Sequence, residues 1–303
     1  MAGRRRNIPD CYTEFDFLVG IVCRAALITW LLALGSISTA ALAGRGMRGG
    51  LVAFDSDRDK NSEVLLLDVL TGLDLNVSRH RAFDYAPAWS ADGRLVFASN
   101  REGNYEIYAL DLMSGQLENL THHPANDYLP AWSAGGRLAF VSDRDGGAEI
   151  YVLDPEDGAA INVSNHPAGD SSPAWSADGR LAFVSNRSGS LDIYVLDPAT
   201  GDLTNLTPHP AADFAPAWSA DGRLAFVSDR SRNHEVYVLD GKIGEAKNIT
   251  GHPAADEMPA WLPDGRLSFV SDRDGAAGIY VLDMNTGSVR RVATGSFQRL
   301  AWR

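Results

Sequence analysis

Cysteine is nearly missing from this 303-residue chain, occurring only as Cys11 and Cys23. Everything beyond residue 23 therefore has no disulfide framework and no thiol chemistry. Positive charge is scarce too: the formal net charge is −12 at pH 7, and lysine stands only at positions 60, 242 and 247. An acidic surface repels phosphates, which excludes a nucleic-acid partner and leaves cations or basic segments as natural ligands. Catalytic signatures are also missing. There is no G-x-S-x-G elbow, no H-E-x-x-H pair and no phosphate-cradling glycine loop. What remains is a globular composition, 45% hydrophobic and 22% charged, long enough to bury a sizeable core.

The first 43 residues read differently from the rest. "MAGRRR" supplies a basic start, "AALITWLLAL" an apolar run, and Ala41 and Ala43 a small-residue A-x-A site. That order is the order of a secretory signal. The uncharged stretch from Ala25 to Ala43 is also 19 residues long, enough for an uncleaved anchor with Arg24 at its cytoplasmic edge. Either reading exports the remainder. The expected organisation is a signal or anchor over 1–43, a linker over 44–49 and one repeat domain over 50–303, in the periplasm or secreted, meeting the membrane only through the anchor.

A repeat dominates residues 50–303. Trp89, Trp132, Trp175, Trp218 and Trp261 stand 43 residues apart, with Trp302 after a further 41. S-D/N-R triplets ending at Arg58, Arg101, Arg144, Arg187, Arg230 and Arg273 keep the same step. Each copy reads as four short strands: "PAWS", a turn "ADGR" whose Asp-Gly pair suits a tight hairpin, "LAFVS", then "EIYVLD" and "NLT". The two central strands are continuous apolar runs, as expected of strands covered on both faces. A four-stranded unit near 43 residues is a β-propeller blade. The first copy lacks its first strand, and the chain ends on "RLAWR", which supplies one. The expected fold is all-β, a six-bladed propeller closed by the C-terminal strand pairing into the first blade. Closure removes exposed edges, and a monomer is expected.

The unit D-x-x-P-A-W-S-A-D-G-R-L-A-F-V-S-D-R-D-G-x-x-E-I-Y-V-L-D…N-L-T resembles the TolB-like propeller repeat over residues 50–303. The resemblance implies a propeller outside the cytoplasm. In TolB this part docks a peptidoglycan-associated lipoprotein on one face and follows an α/β domain for which this chain has no room. Similar repeats form the non-catalytic part of some prolyl-peptidase-like enzymes.

Two sets of residues are candidates for function. Asp84, Asp127, Asp170, Asp213 and Asp256 recur at the blade period and open the innermost strands, at the mouth of the central channel. Five carboxylates around an axis suit a Ca²⁺ ion or a basic peptide; equally, each carboxylate can accept backbone N–H groups or pair with a loop arginine and latch the blades. His80, His123, His166, His209 and His252 keep the same step around a rim, which suits loop capping rather than metal binding. The second set breaks the symmetry: Arg232, Asn233 and His234 in "SDRSRNHEVY", Glu102 and Tyr105 in "REGNYEIY", and Asp59 and Lys60 in the first copy. Loops that differ on one face are how a symmetric scaffold acquires a partner. The expected function is non-catalytic binding of a protein or peptide at the channel mouth. The alternative is a metal-dependent hydrolase or lyase with its site in the channel.

Overall fold

The computed structural model describes residues 50–303 other than 59, 60, 156 and 241–243. The signal or anchor, the linker and the Asp59–Lys60 variation lie outside the described residues. Residues 50–303 form six four-stranded antiparallel sheets, the blades of a propeller. Blade 1 takes its innermost strand from the C-terminus, Gln298–Trp302, followed by Leu51–Ser56, Glu63–Asp68 and Leu73–Asn76. Blades 2 to 6 run in sequence and open on the innermost strands Asp84–Trp89, Asp127–Trp132, Asp170–Trp175, Asp213–Trp218 and Asp256–Trp261.

The second strands are buried end to end in blades 2 to 5, Leu95–Ser99 for example, because each blade is covered by a neighbour on either side. The core accordingly lies between blades. Val96, Ala98 and Ile107 of blade 2 pack with Leu138, Phe140 and Tyr151 of blade 3, and Phe54 of blade 1 packs with Ile279 of blade 6. The second-strand phenylalanines, from Phe54 to Phe269 at the 43-residue step, are at most 2% exposed. Each such ring stabilises the fold by roughly 1.5–3 kcal/mol. The fourth strands are half-buried or exposed and form the outer rim.

Two backbone devices shape the channel. The "ADGR" turns place glycine in the left-handed region, Gly93 at φ 88° and Gly222 at φ 89°, so the positive φ of the hairpin falls on the glycine. Each innermost strand of blades 2 to 6 also carries a bulge, in blade 2 between Tyr85 and Ala88. Pro87 and its counterparts have no N–H to give the ladder and sit in the bulge without loss, and the residue before each is left-handed. Ala86, Leu129, Ser172, Ala215, Met258 and Arg299 all have φ between 51° and 54°. In blade 1, Leu300 stands at the proline position and pairs with Phe54, so Arg299 alone bulges out.

Candidate functional site at the channel

The five periodic aspartates are fully buried, each at 0% exposure. Each accepts a hydrogen bond from the arginine seventeen residues on in its own blade: Arg101, Arg144, Arg187, Arg230 and Arg273, at 2.7–3.0 Å. The same arginines donate through Nε to the last serine of the second strand, Arg101 to Ser99 and Arg144 to Ser142 at 2.8 Å. Their guanidinium planes lie over a phenylalanine and a tyrosine, Arg144 at 5.5 Å from Phe140 and 4.5 Å from Tyr151. Burial pushes the carboxyls of Asp84, Asp127 and Asp213 up, against the lowering effect of their serine and arginine partners. The joint between blades is made by the aspartate backbone. Asp127 N–H donates to the Tyr105 carbonyl at 2.7 Å, and Asp256 N–H to that of His234 at 2.8 Å. Among the described residues no three His, Asp, Glu or Cys side chains converge as metal ligands. Carboxylates held singly by arginine do not fit the converging oxygens that Ca²⁺ takes.

The periodic histidines cap their own loops. Nδ1 of His80, His123, His166, His209 and His252 accepts the N–H two residues on, at 3.0–3.1 Å, which places the ring proton of the neutral form on Nε2. The tryptophans wedge neighbouring blades: Trp261 Nε1 donates to the Ala217 carbonyl at 3.0 Å, and Arg223 of blade 5 lies over the Trp261 ring at 4.5 Å.

The symmetry-breaking residues fall into different places. Asn233 Nδ2 clips its loop through Glu235 Oε1 and the carbonyls of His252 and Ala254, at 2.8–3.1 Å. Asn104 and Asn61 make the same contacts in blades 2 and 1, so Asn233 is a scaffold residue. Glu102 is exposed beside Tyr108, whose hydroxyl is pushed up to about 12 by burial and then by this carboxylate. Arg232 is exposed at φ 77°, where blades 2, 3, 4 and 6 have Gly103, Gly146, Gly189 and Gly275.

Tyr105 and His234 stand at equivalent positions of blades 2 and 5, across the ring from each other. Tyr105 meets Tyr85 edge-on at 5.2 Å, and His234 meets Phe214 edge-on at 5.1 Å. His234 Nδ1 is also 2.5 Å from Glu257 Oε1 of blade 6, both side chains about two-fifths exposed. The mouth therefore has two aromatic walls, one carrying an imidazole–carboxylate pair.

Behind the mouth lies a cavity of about 480 Å³, walled by the proline, alanine and tryptophan ends of the innermost strands. Only Arg299 and Glu257 among its lining residues carry charge. Burial in the protein lowers the pKa of Arg299, and the nearby Asp55 carboxylate opposes that effect. Asp55 replaces Ala98, Val141, Val184, Val227 and Val270 of the other second strands, and Phe297 takes the place of the ring aspartate. Blade 1 thus moves its carboxylate onto the second strand and gains an arginine on the channel wall. Sequence reasoning missed Asp55, Arg299, Tyr85, Phe214 and Glu257. Counting back from each tryptophan sets Tyr85, Phe214 and Glu257 at one shared position and Arg299 at the position of Ala86 and Met258, while Asp55 stands out once the copies are aligned on the serine that ends the second strand.

A family model described as the TolB beta propeller domain matches residues 46–180 and 171–300. No curated protein sequence matches the chain. Among solved structures, TolB from Acinetobacter baumannii is similar with a TM-score of 0.73 and 22% identity, covering 86% of this chain and 69% of that one. A putative TolB from Agrobacterium tumefaciens is similar with a TM-score of 0.67 and 22% identity, covering 82% and 90%. An oligogalacturonate lyase from Vibrio parahaemolyticus is similar with a TM-score of 0.55 and 17% identity, covering 82% of this chain and 75% of that one. At these identities the structures speak for the fold, and the family match speaks for descent: the chain belongs to the TolB beta propeller domain family.

Proposed function

We propose that this propeller works outside the cytoplasm as a non-catalytic binding module that holds a protein or peptide partner across its channel mouth. The observation that carries the reading is the placement of the repeat's exceptions. Tyr85 with Tyr105, and Phe214 with His234, stand at equivalent positions in opposite blades of the ring, while the periodic residues around them are occupied with one another. Aromatic walls beside a half-exposed histidine–glutamate pair have the composition of a partner-binding surface, with large apolar area and a polar rim. Family membership agrees with a binding role, since the propeller of TolB docks a partner on one of its faces.

The test places a photo-crosslinking amino acid at Tyr105 or His234, and in a control at Thr204 on the outer rim. Irradiation in the native host should give a discrete adduct from both mouth positions and none from the rim. Adducts at all three positions, or at none, would remove the mouth as the binding face.

A further inference from the structure

The closing strand brings a cation into the channel that no other blade supplies. At the bulge of the innermost strand, blades 2 to 6 have Ala86, Leu129, Ser172, Ala215 and Met258, and blade 1 has Arg299. Its backbone N–H is used, donating to Met258 Sδ at 3.1 Å. Its guanidinium is not: among the described residues no side chain or carbonyl takes a hydrogen bond from it, although the residue lines the cavity and is partly exposed. This contrasts with the five latch arginines, each tied to an aspartate and a serine. The nearby carboxylate, Asp55, is 2% exposed and leaves Oδ1 without a partner. Burial pushes that carboxyl up to about 7, so near neutral pH it offsets the arginine's charge only in part. The other charge on the cavity wall, Glu257, is taken up by His234. Around Arg299 the wall is apolar, with Met258, Leu300 and Phe214 among its members.

We propose that Arg299 anchors a ligand site inside the channel that takes a carboxylate carried on an apolar body. A guanidinium fork with free donors matches the two oxygens of a carboxylate, and enclosure in protein strengthens the pairing by excluding water. The Pro, Ala, Trp and Met lining suits the remainder of such a ligand. The carboxylate has two sources, a free small acid or an acidic residue of a peptide threaded into the channel. The site rests on the cavity and not on the mouth reading, so either proposal can fail alone.

The experiment is calorimetric titration of the protein with 3-phenylpropionate, with its neutral amide, and with a capped tripeptide carrying one aspartate between two phenylalanines. The acid should bind, and the amide should bind about tenfold more weakly or less, the factor expected for loss of a charge-assisted bond. Arg299→Gln should lose the acid by a similar factor, and Arg299→Lys should retain most of the binding. Should Arg299→Gln fail to fold because Asp55 is left without a counter-charge, the Asp55→Asn/Arg299→Gln double variant removes both charges and gives the same reading. Tighter binding of the tripeptide than of the acid assigns the site to a peptide; the reverse order assigns it to a small molecule. Equal binding of acid and amide, no binding of either acid or tripeptide at millimolar concentration, or undiminished binding by the charge-free variant overturns the proposal.

Discussion

Asp55 is a carboxylate in a place built for valine. It is 2% exposed, in the second strand of blade 1, and its carboxyl is raised from 3.8 to about 7. Loss of hydration is the largest cause; Arg299 and the Ala86 backbone act against it, and Asp57 adds to it. Between about pH 4 and pH 7 the folded chain keeps a proton that the unfolded chain releases. This residue's contribution to stability therefore declines as pH rises through that window, by up to about 1.4 kcal/mol per pH unit for one proton. Asp84, Asp127 and Asp213 slope the same way, so the measurement must be a difference. Asp55→Asn should match the parent near pH 4, gain on it steadily to pH 7, and hold a constant lead above that. Urea midpoints at stepped pH give the comparison. A gap that is the same at every pH would mean that Arg299 keeps Asp55 ionised throughout.

At the scale of the element, one blade is held by a cross-link that the repeat copies five times. Aspartate, serine and arginine from the first strand, the second strand and the following loop meet under a phenylalanine and a tyrosine. Removing one partner of a buried pair leaves the other charged and unsatisfied. Asp127→Asn should therefore destabilise by about 3 kcal/mol, and adding Arg144→Met should recover much of that loss. Equilibrium urea unfolding of the two variants checks both expectations, and additive losses in the double variant would contradict the latch. The membership of this ring was legible in the sequence, since every Asp and every Arg keeps the 43-residue step. Which way each carboxylate faces was not. Facing is read from alternation, and the bulge between Tyr128 and Ala131 breaks the alternation between Asp127 and Trp132. The same bulge hides that Tyr85 and Phe214 meet residues 20 positions downstream, so Tyr105 and His234 were visible as exceptions but their partners were not.

For the whole molecule, the unfinished unit "RLAWR" was enough to read the closure, because a ring missing one inner strand at its first blade has a single place for it. The chemistry of that strand was less legible. The last tryptophan falls at a step of 41 instead of 43, so Arg299 drops out of the 43-residue step and meets Ala86 and Met258 only when counted back from Trp302, a register that the pairing of Asp55 with Gln298 and of Phe54 with Leu300 bears out. Closure also carries a prediction. Without Phe297 to Arg303, the strand Leu51–Ser56 would lose its partner on one side and present an unpaired edge beside the buried Val52 and Phe54. Phe297, 7% exposed and edge-on to Phe54 at 4.9 Å, is itself worth roughly 1.5–3 kcal/mol of burial. An open, apolar strand edge is a template for another chain. The truncated protein should therefore self-associate in size-exclusion chromatography with light scattering and unfold over a broader urea range than the parent. A peptide of sequence FQRLAWR added in trans should reverse the association by filling the vacant strand position. A truncated monomer that unfolds at the parent's urea midpoint would mean that the ring is held by its blade-to-blade faces alone, with the closing strand contributing the channel arginine and little else.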